Sequence, residues 1–292
     1  MINSICIKTN NVNIINTLLN NLENIELNDI YLSQNTFKNY KNVIIHYRGN
    51  SIELFYSKLA EVLSNILINL CEPNIIKRIL NSNYFYFNDL EKKKISNICQ
   101  YTLNNDENSE FSNRKDLVFI SFLKYILYNK SMILDGFINF RLKDYMSILD
   151  NAIDFSVNQF LVEREYDEFV DLLKLYINSK PSEVDKVHLV YINQESILLN
   201  ENGETININD HVFEAKYLSD ISFSSNDYAL NTLLTLLPKK IFIHLIDNED
   251  EFINTLKLIF NNRVYLCNDC TICQAYRLNT IKNIKFSKIQ KK

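Results

Sequence analysis

Residues 135–181, DGFINFRLKDYMSILDNAIDFSVNQFLVEREYDEFVDLLKLYINSKP, decide how the chain is read. Apolar side chains at Ile138, Leu142, Tyr145, Leu149, Ala152, Ile153 and Phe160 step by three and four, as one face of an α-helix requires. The stripe resumes at Val162, Tyr166, Phe169, Val170, Leu173, Tyr176 and Ile177. Asp135 is placed to cap the start, because a short carboxylate accepts hydrogen bonds from the free N–H groups of a first turn. Pro181 disfavours a helical Lys180 and ends the segment. The pattern predicts either two helices with a break near Leu161–Glu165 or one long bent helix, each burying a single stripe.

Working toward the N-terminus, residues 51–130 also have a helical pattern. Leu54, Leu59, Val62, Leu63, Ile66 and Leu70 form one stripe, which Pro73 is expected to close. Ile75, Ile76, Ile79 and Leu80 start the next. Tyr84–Phe87 is an aromatic patch read as core packing. Asn88-Asp89 caps a helix over 90–103, a polar loop follows over 104–113, and a helix runs over 114–129. Before residue 50 the pattern is β-α-β-β: strands at 3–8, 30–32 and 43–47, and a helix over 12–22. His46 and Arg48 share one strand face, read as a polar face.

Beyond Pro181 the character changes. Strands are expected at 187–192, 197–199, 212–217, 241–246 and 264–266, with a turn at Asn202-Gly203 and helices over 225–236 (capped by Ser225 or Asn226) and 249–260. The strand–helix–strand spacing predicts parallel pairing. The fold class is therefore α+β. A small N-terminal α/β unit (1–50) leads into a predominantly helical central body (51–181), then a C-terminal α/β portion (182–276) and a basic tail (277–292).

Composition bounds the function. The chain has 292 residues, 47% hydrophobic and 23% charged, as in globular proteins. A net charge of −4 argues against a general nucleic-acid binder, whose phosphate contacts need a basic surface. The start MINSICIKTN lacks the layout of a signal peptide. The longest apolar run, Leu117–Tyr128, is too short for a membrane span and contains Lys124. Six cysteines without a secretory signal read as reduced thiols, and the expected location is cytoplasmic.

Three features could carry chemistry or binding. Cys267, Cys270 and Cys273 form C-x2-C-x2-C after the last strand, a spacing that lets thiolates converge on zinc or an iron–sulfur cluster. A fourth ligand would come from His211, His244, Cys99 or Cys71, and Asp269 offers an oxygen. A redox thiol pair and inert reduced thiols are the alternatives. Asn139, Arg141, Lys143 and Asp144 crowd two helical turns and form a candidate partner-binding group, since arginine offers planar paired donors. A boundary arginine pairing with Asp144 or Glu165 is the plainer reading. The tail holds Arg277, Lys282, Lys285, Lys288, Lys291 and Lys292 among apolar residues, a pattern suited to an anionic membrane surface or to nucleic acid, the plainer reading being a solvated terminus or a last helix docked on the core. The acidic run from Glu163 to Asp171 reads as a solvated face. No glycine-rich phosphate loop and no serine or cysteine beside a base appears, so an enzyme is disfavoured.

Residues 136–145 (GFINFRLKDY) and 160–190 (FLVEREYDEFVDLLKLYINSKPSEVDKVHLV) resemble the sporulation proteins of the YtxC-like family of endospore-forming Firmicutes. The resemblance rests on Gly136, Phe137, Asn139, Phe140, Arg141, Leu142 and Lys143, on Glu165, Tyr166, Leu172 and Leu173, and on Val187 and His188. It departs in the loop at Ser179-Lys180-Pro181. The resemblance implies a role in or around sporulation and brings no catalytic residues. The expected function is a cytoplasmic, non-enzymatic interaction module with a protein partner. The alternative is a metal-dependent enzyme or redox sensor built on the three cysteines.

Overall fold

The structure is a computed structural model and describes residues 2–278 apart from 26, 28, 39, 106–110, 112 and 207–223. The chain forms two compact units, residues 1–163 and 164–292. Helix dominates, accompanied by two four-stranded mixed sheets, so the class is α+β.

In the first unit, β1 (Asn3–Thr9), β2 (Ile30–Phe37) and β3 (Tyr40–Tyr47) join β4 (Ser131–Ile133) in the order β2-β3-β1-β4. β1 is antiparallel to β3 and parallel to β4. Period-two alternation buries Ile5, Ile7, Val43 and Ile45. These share one core with Leu18 of α1 (Val12–Glu23), Leu59 of α2 (Ile52–Ile66), and Phe122 of α5 (Arg114–Tyr128). The N-terminal strands and the helices thus form a single unit. His46 lies on the polar side of the sheet, its Nδ1 2.8 Å from Ser4 Oγ.

Pro73 does not close the stripe that runs from Leu54 to Leu70. The helix runs from α2 through a π-turn (Leu67–Cys71) into α3 (Glu72–Asn83), with Pro73 in the first turn of α3. The widened turn gives room for a residue that lacks an N–H and would crowd the carbonyl four residues earlier. The Asn74 side-chain amide donates to the Leu70 carbonyl at 3.1 Å. The whole stretch Ile52–Asn83 has the length and composition of a membrane span, which a search for unbroken apolar runs passes over. Half of its most apolar window is buried, and Leu59, Leu63, Ile66 and Leu67 lie in the core, as in a core helix.

α4 (Asp89–Asn104) begins with the expected cap, a full capping box between Asn88 and Glu91. Of the aromatic patch, Phe87 packs inside against Phe160, whereas Phe85 and Tyr86 are exposed. Asp135 does not cap. α6 (Leu134–Arg141) starts one residue earlier, and the Asp135 carboxylate instead accepts from the buried Thr9 hydroxyl at 3.1 Å. The helical break falls at Leu142, whose backbone leaves the helical region (ψ 47°), and α7 (Lys143–Ser179) then runs unbroken through Leu161–Glu165.

One feature of this unit had no signature in the sequence. The Glu72 carboxylate and the Arg114 guanidinium are both buried and meet through Nε–Oε2 at 3.2 Å and Nη2–Oε1 at 3.5 Å. Tyr145 donates its hydroxyl to Glu72 Oε2 at 2.9 Å. Arg114 also donates to the Leu103 carbonyl and, at 3.0 Å, to Asn104 Oδ1. Burial, and then the neighbouring Glu72 charge, push the Tyr145 phenol far above its ordinary range.

The second unit contains β5 (Lys186–Ile192), β6 (Glu195–Leu199), β7 (Lys240–Leu245) and β8 (Val264–Leu266) in the order β6-β5-β7-β8. β5–β7 and β7–β8 are parallel, as the spacing predicts. β5 and β6 join through Asn193-Gln194, both at positive φ (53° and 62°), the demand of a tight two-residue hairpin. Asn202-Gly203 forms a further turn, with Gly203 at φ 83° and Ile206 N–H donating to the Leu198 carbonyl at 2.9 Å. The expected strand at 212–217 lies outside the described residues.

α8 (Ser225–Leu236) is capped by Ser224, not by Ser225 or Asn226. Those two side chains accept from the Ser196 N–H and hydroxyl, tying the helix to β6. α9 (Glu251–Phe260) is capped by Asp250. Val187, Leu189, Ile241 and Ile243 pack with Leu233, Leu256 and Phe260, and with Val170 and Ile177 of α7. Of the rest of the second stripe, Leu173 packs partly against this core, whereas Val162, Tyr166, Phe169 and Tyr176 are exposed. Val162 is 67% exposed and Phe169 51%, because the helix meets this core along the narrow line of Val170 and Ile177.

Candidate functional site

The candidate partner group sits where α6 gives way to α7. Leu142 is buried and breaks the helix, with Phe137 and Ile138 buried before it and Tyr145 after it. Anchored this way, the corner turns Asn139, Phe140, Arg141, Lys143 and Asp144 outward, all exposed. Asn139 Oδ1 accepts from Arg78 Nη2 at 3.1 Å. Among the described residues of its own unit Arg141 forms no ion pair, so the pairing with Asp144 is not what the structure holds. Phe140, 74% exposed between Asn139 and Arg141, belongs to this surface. The sequence reading left it out because an aromatic residue at a helical position is ordinarily core.

The second candidate lies in the C-terminal portion. Cys267 extends β8 by one residue, its N–H donating to the Ile243 carbonyl at 2.9 Å. Strand alternation therefore puts its side chain on the sheet face that carries His244 and Tyr265. After the Asn268-Asp269 turn, residues 271–278 are helical, with the Gln274 N–H bonded to the Cys270 carbonyl at 3.0 Å. Cys270 stands at the helix start and Cys273 one turn along, on the same side. The three sulfurs and a His244 ring nitrogen lie within 4.8 Å of one another. His244 Nδ1 is 3.4 Å from both Cys273 Sγ and Cys270 Sγ. Cys273 Sγ is 3.9 Å from Cys270 Sγ and from Cys267 Sγ. His244 and Cys273 are fully buried, and Cys267 and Cys270 partly so.

Of the four candidates for a fourth ligand, the structure brings His244 to the cluster. His211 lies outside the described residues, and Cys71 and Cys99 belong to the first unit. Asp269 is turned to Arg277, at 3.6 Å. Residues 279–292 of the basic tail lie outside the described residues.

On its other side His244 Nε2 meets His188 Nδ1 at 2.8 Å, the two rings stacked at 5.1 Å. Burial, and then the neighbouring His188, bring the His244 pKa down to about 4. Burial and Lys186 lower that of His188. Both imidazoles are thus neutral at pH 7, the form in which a ring nitrogen has a free lone pair. Burial drives Cys267 up to about 12, and the neighbouring thiols add to that. At Cys270 burial acts the same way, but hydrogen bonds from the Cys273 and Ile272 backbones outweigh it and hold the thiol below its ordinary value. The His188 contribution had no sequence signal: it comes from the pairing of β5 with β7, 56 residues apart.

The sequence model of the YtxC-like family matches residues 57–265, most of the chain. The chain belongs to the YtxC-like family. The match begins within α2 and ends inside β8, so it takes in the exposed corner of α6 and α7 and both histidines but stops before Cys267. No curated protein and no solved structure matches the chain.

Proposed function

We propose that this YtxC-like protein is a sporulation-associated, cytoplasmic, non-enzymatic interaction module that docks a protein partner through Asn139, Phe140, Arg141, Lys143 and Asp144. The supporting observation is the exposed Phe140 beside Arg141, on a corner fixed by the buried Leu142. Aromatic residues and arginine are the side chains that most often dominate binding energy once desolvated by a partner. Leu172 and Leu175, at 64% and 67% exposure on α7, offer further apolar surface of the kind that marks protein contacts. The sporulation role that the family name implies supports looking for the partner in sporulating cells. The thiol cluster does not favour an enzyme or redox sensor, since three cysteines and a histidine are a closed set of four donors.

The test is affinity capture from sporulating cells after brief cross-linking, with Phe140→Ala/Arg141→Glu beside wild type and a Cys267→Ser control. At least tenfold less of a specific partner with the corner variant, together with fewer spores, is the expected result. Equal recovery of every partner and normal spore counts with a folded corner variant would overturn the reading.

A further inference from the structure

The second unit holds four soft donors that converge from two places in the chain, and hydrogen bonding alone does not explain why. Thiols are weak donors and acceptors, yet Cys267, Cys270 and Cys273 turn toward each other and toward His244 Nδ1. Four of the six spacings match the edges of a coordination tetrahedron, and all six lie within 4.8 Å. Bond lengths of about 2.3 Å for zinc–sulfur and about 2.05 Å for zinc–nitrogen give edges of about 3.8 Å between sulfurs and about 3.6 Å between nitrogen and sulfur. The measured values are 3.9 Å and 3.4 Å.

We propose that Cys267, Cys270, Cys273 and His244 bind a single zinc ion as a structural site of the second unit. Three thiolates and a neutral imidazole make a donor set suited to zinc and leave no open position for substrate. An iron–sulfur cluster spreads its thiolates over two or more irons, and three sulfurs all within 4.8 Å of one another converge too closely for that arrangement. His188 is the positioning residue. When His244 donates its Nε2–H to His188 Nδ1, the Nδ1 lone pair faces the three sulfurs, and the ion selects that tautomer. The ion would clamp the end of β7 to the segment that follows β8, fastening the last parallel strand, which is only three residues long.

The experiment uses the full chain, purified without chelator or oxygen, with metals quantified by elemental analysis and zinc exchanged for cobalt(II). About one zinc per chain is expected, along with the intense visible bands of tetrahedral cobalt and a thiolate-to-cobalt charge-transfer band in the near ultraviolet. Cys267→Ser/Cys270→Ser should lose the metal. Folded, metal-free wild type whose melting temperature ignores added zinc would overturn the proposal. So would zinc retained at full stoichiometry in the double variant, or iron accompanied by acid-labile sulfide. If the double variant does not fold, the cobalt spectrum of wild type decides alone, and absence of the charge-transfer band overturns the assignment.

Discussion

Each unit has a buried polar centre, and the two are built on opposite principles. In the first, Glu72, Arg114, Tyr145, Asn104 and the Leu103 carbonyl answer one another with strong, charge-assisted bonds, and the network is complete as the chain folds. In the second, His244 and three cysteines gather at distances that suit an ion better than they suit each other. A closed network of opposite charges holds its own elements together. A ring of like-natured donors would, on the zinc proposal, be a receptor that its ion completes.

Breaking the first centre has the largest expected effect. Arg114→Ala leaves the Glu72 carboxylate buried without its charge partner and should cost about 3–5 kcal/mol in urea unfolding. Arg114→Met with Glu72→Leu should recover most of that loss, because removing both charges also removes the desolvation penalty. A loss below about 1 kcal/mol in the single variant would mean that water reaches the pair. The second centre should respond through its guest instead. His188→Gln is expected to weaken zinc or cobalt affinity by about 10–100-fold, read by competition with a chelator, with little change in the metal-free fold. Unchanged affinity would remove His188 from the site.

The smallest and most gradual effect is that of pH on metal-free protein. His244 binds its proton near pH 4 when folded and near 6.5 when unfolded, so the unfolded chain takes up protons first as the solution is acidified. Stability is therefore full above about pH 6.5, falls as pH drops toward about 4, and levels off below it. His188, lowered as well, acts in the same direction. Protection factors of the β5 and β7 amides, corrected for the intrinsic pH dependence of exchange, should fall over that window, and a flat profile would show that His244 is solvated.

How far the sequence reaches differs between the two centres for a physical reason. Local signals placed nearly every described strand and helix, because periodicity and capping act within one or two turns. The capping box at Asn88 and Glu91 is of this kind. C-x2-C-x2-C was visible for the same reason, and His244 stood among the candidate ligands although nothing in the sequence could rank it above His211. Glu72 and Arg114, 42 residues apart, meet only through tertiary packing and stayed hidden. Of the two readings the pattern left open, the long helix holds through Leu161–Glu165, and the break at Leu142 was missed because Leu142 keeps the apolar spacing while its backbone departs from it. Pro73 was read as a stop because a π-turn leaves no compositional mark.

That π-turn also fixes an angular phase. One residue more or less in an α-helix turns everything after it by about 100°. The single wide turn at Leu67–Cys71 works as a built-in extra residue, advancing α3 relative to α2. A one-residue deletion there that restored an even spiral would press Pro73 against the carbonyl four residues earlier. It would also swing Glu72 off the bearing on which Arg114 meets it, and carry Ile75, Ile76 and Leu80 with it. In this molecule an electrostatic bond and an apolar face are both timed by one irregular turn, like two hands set by the same gear.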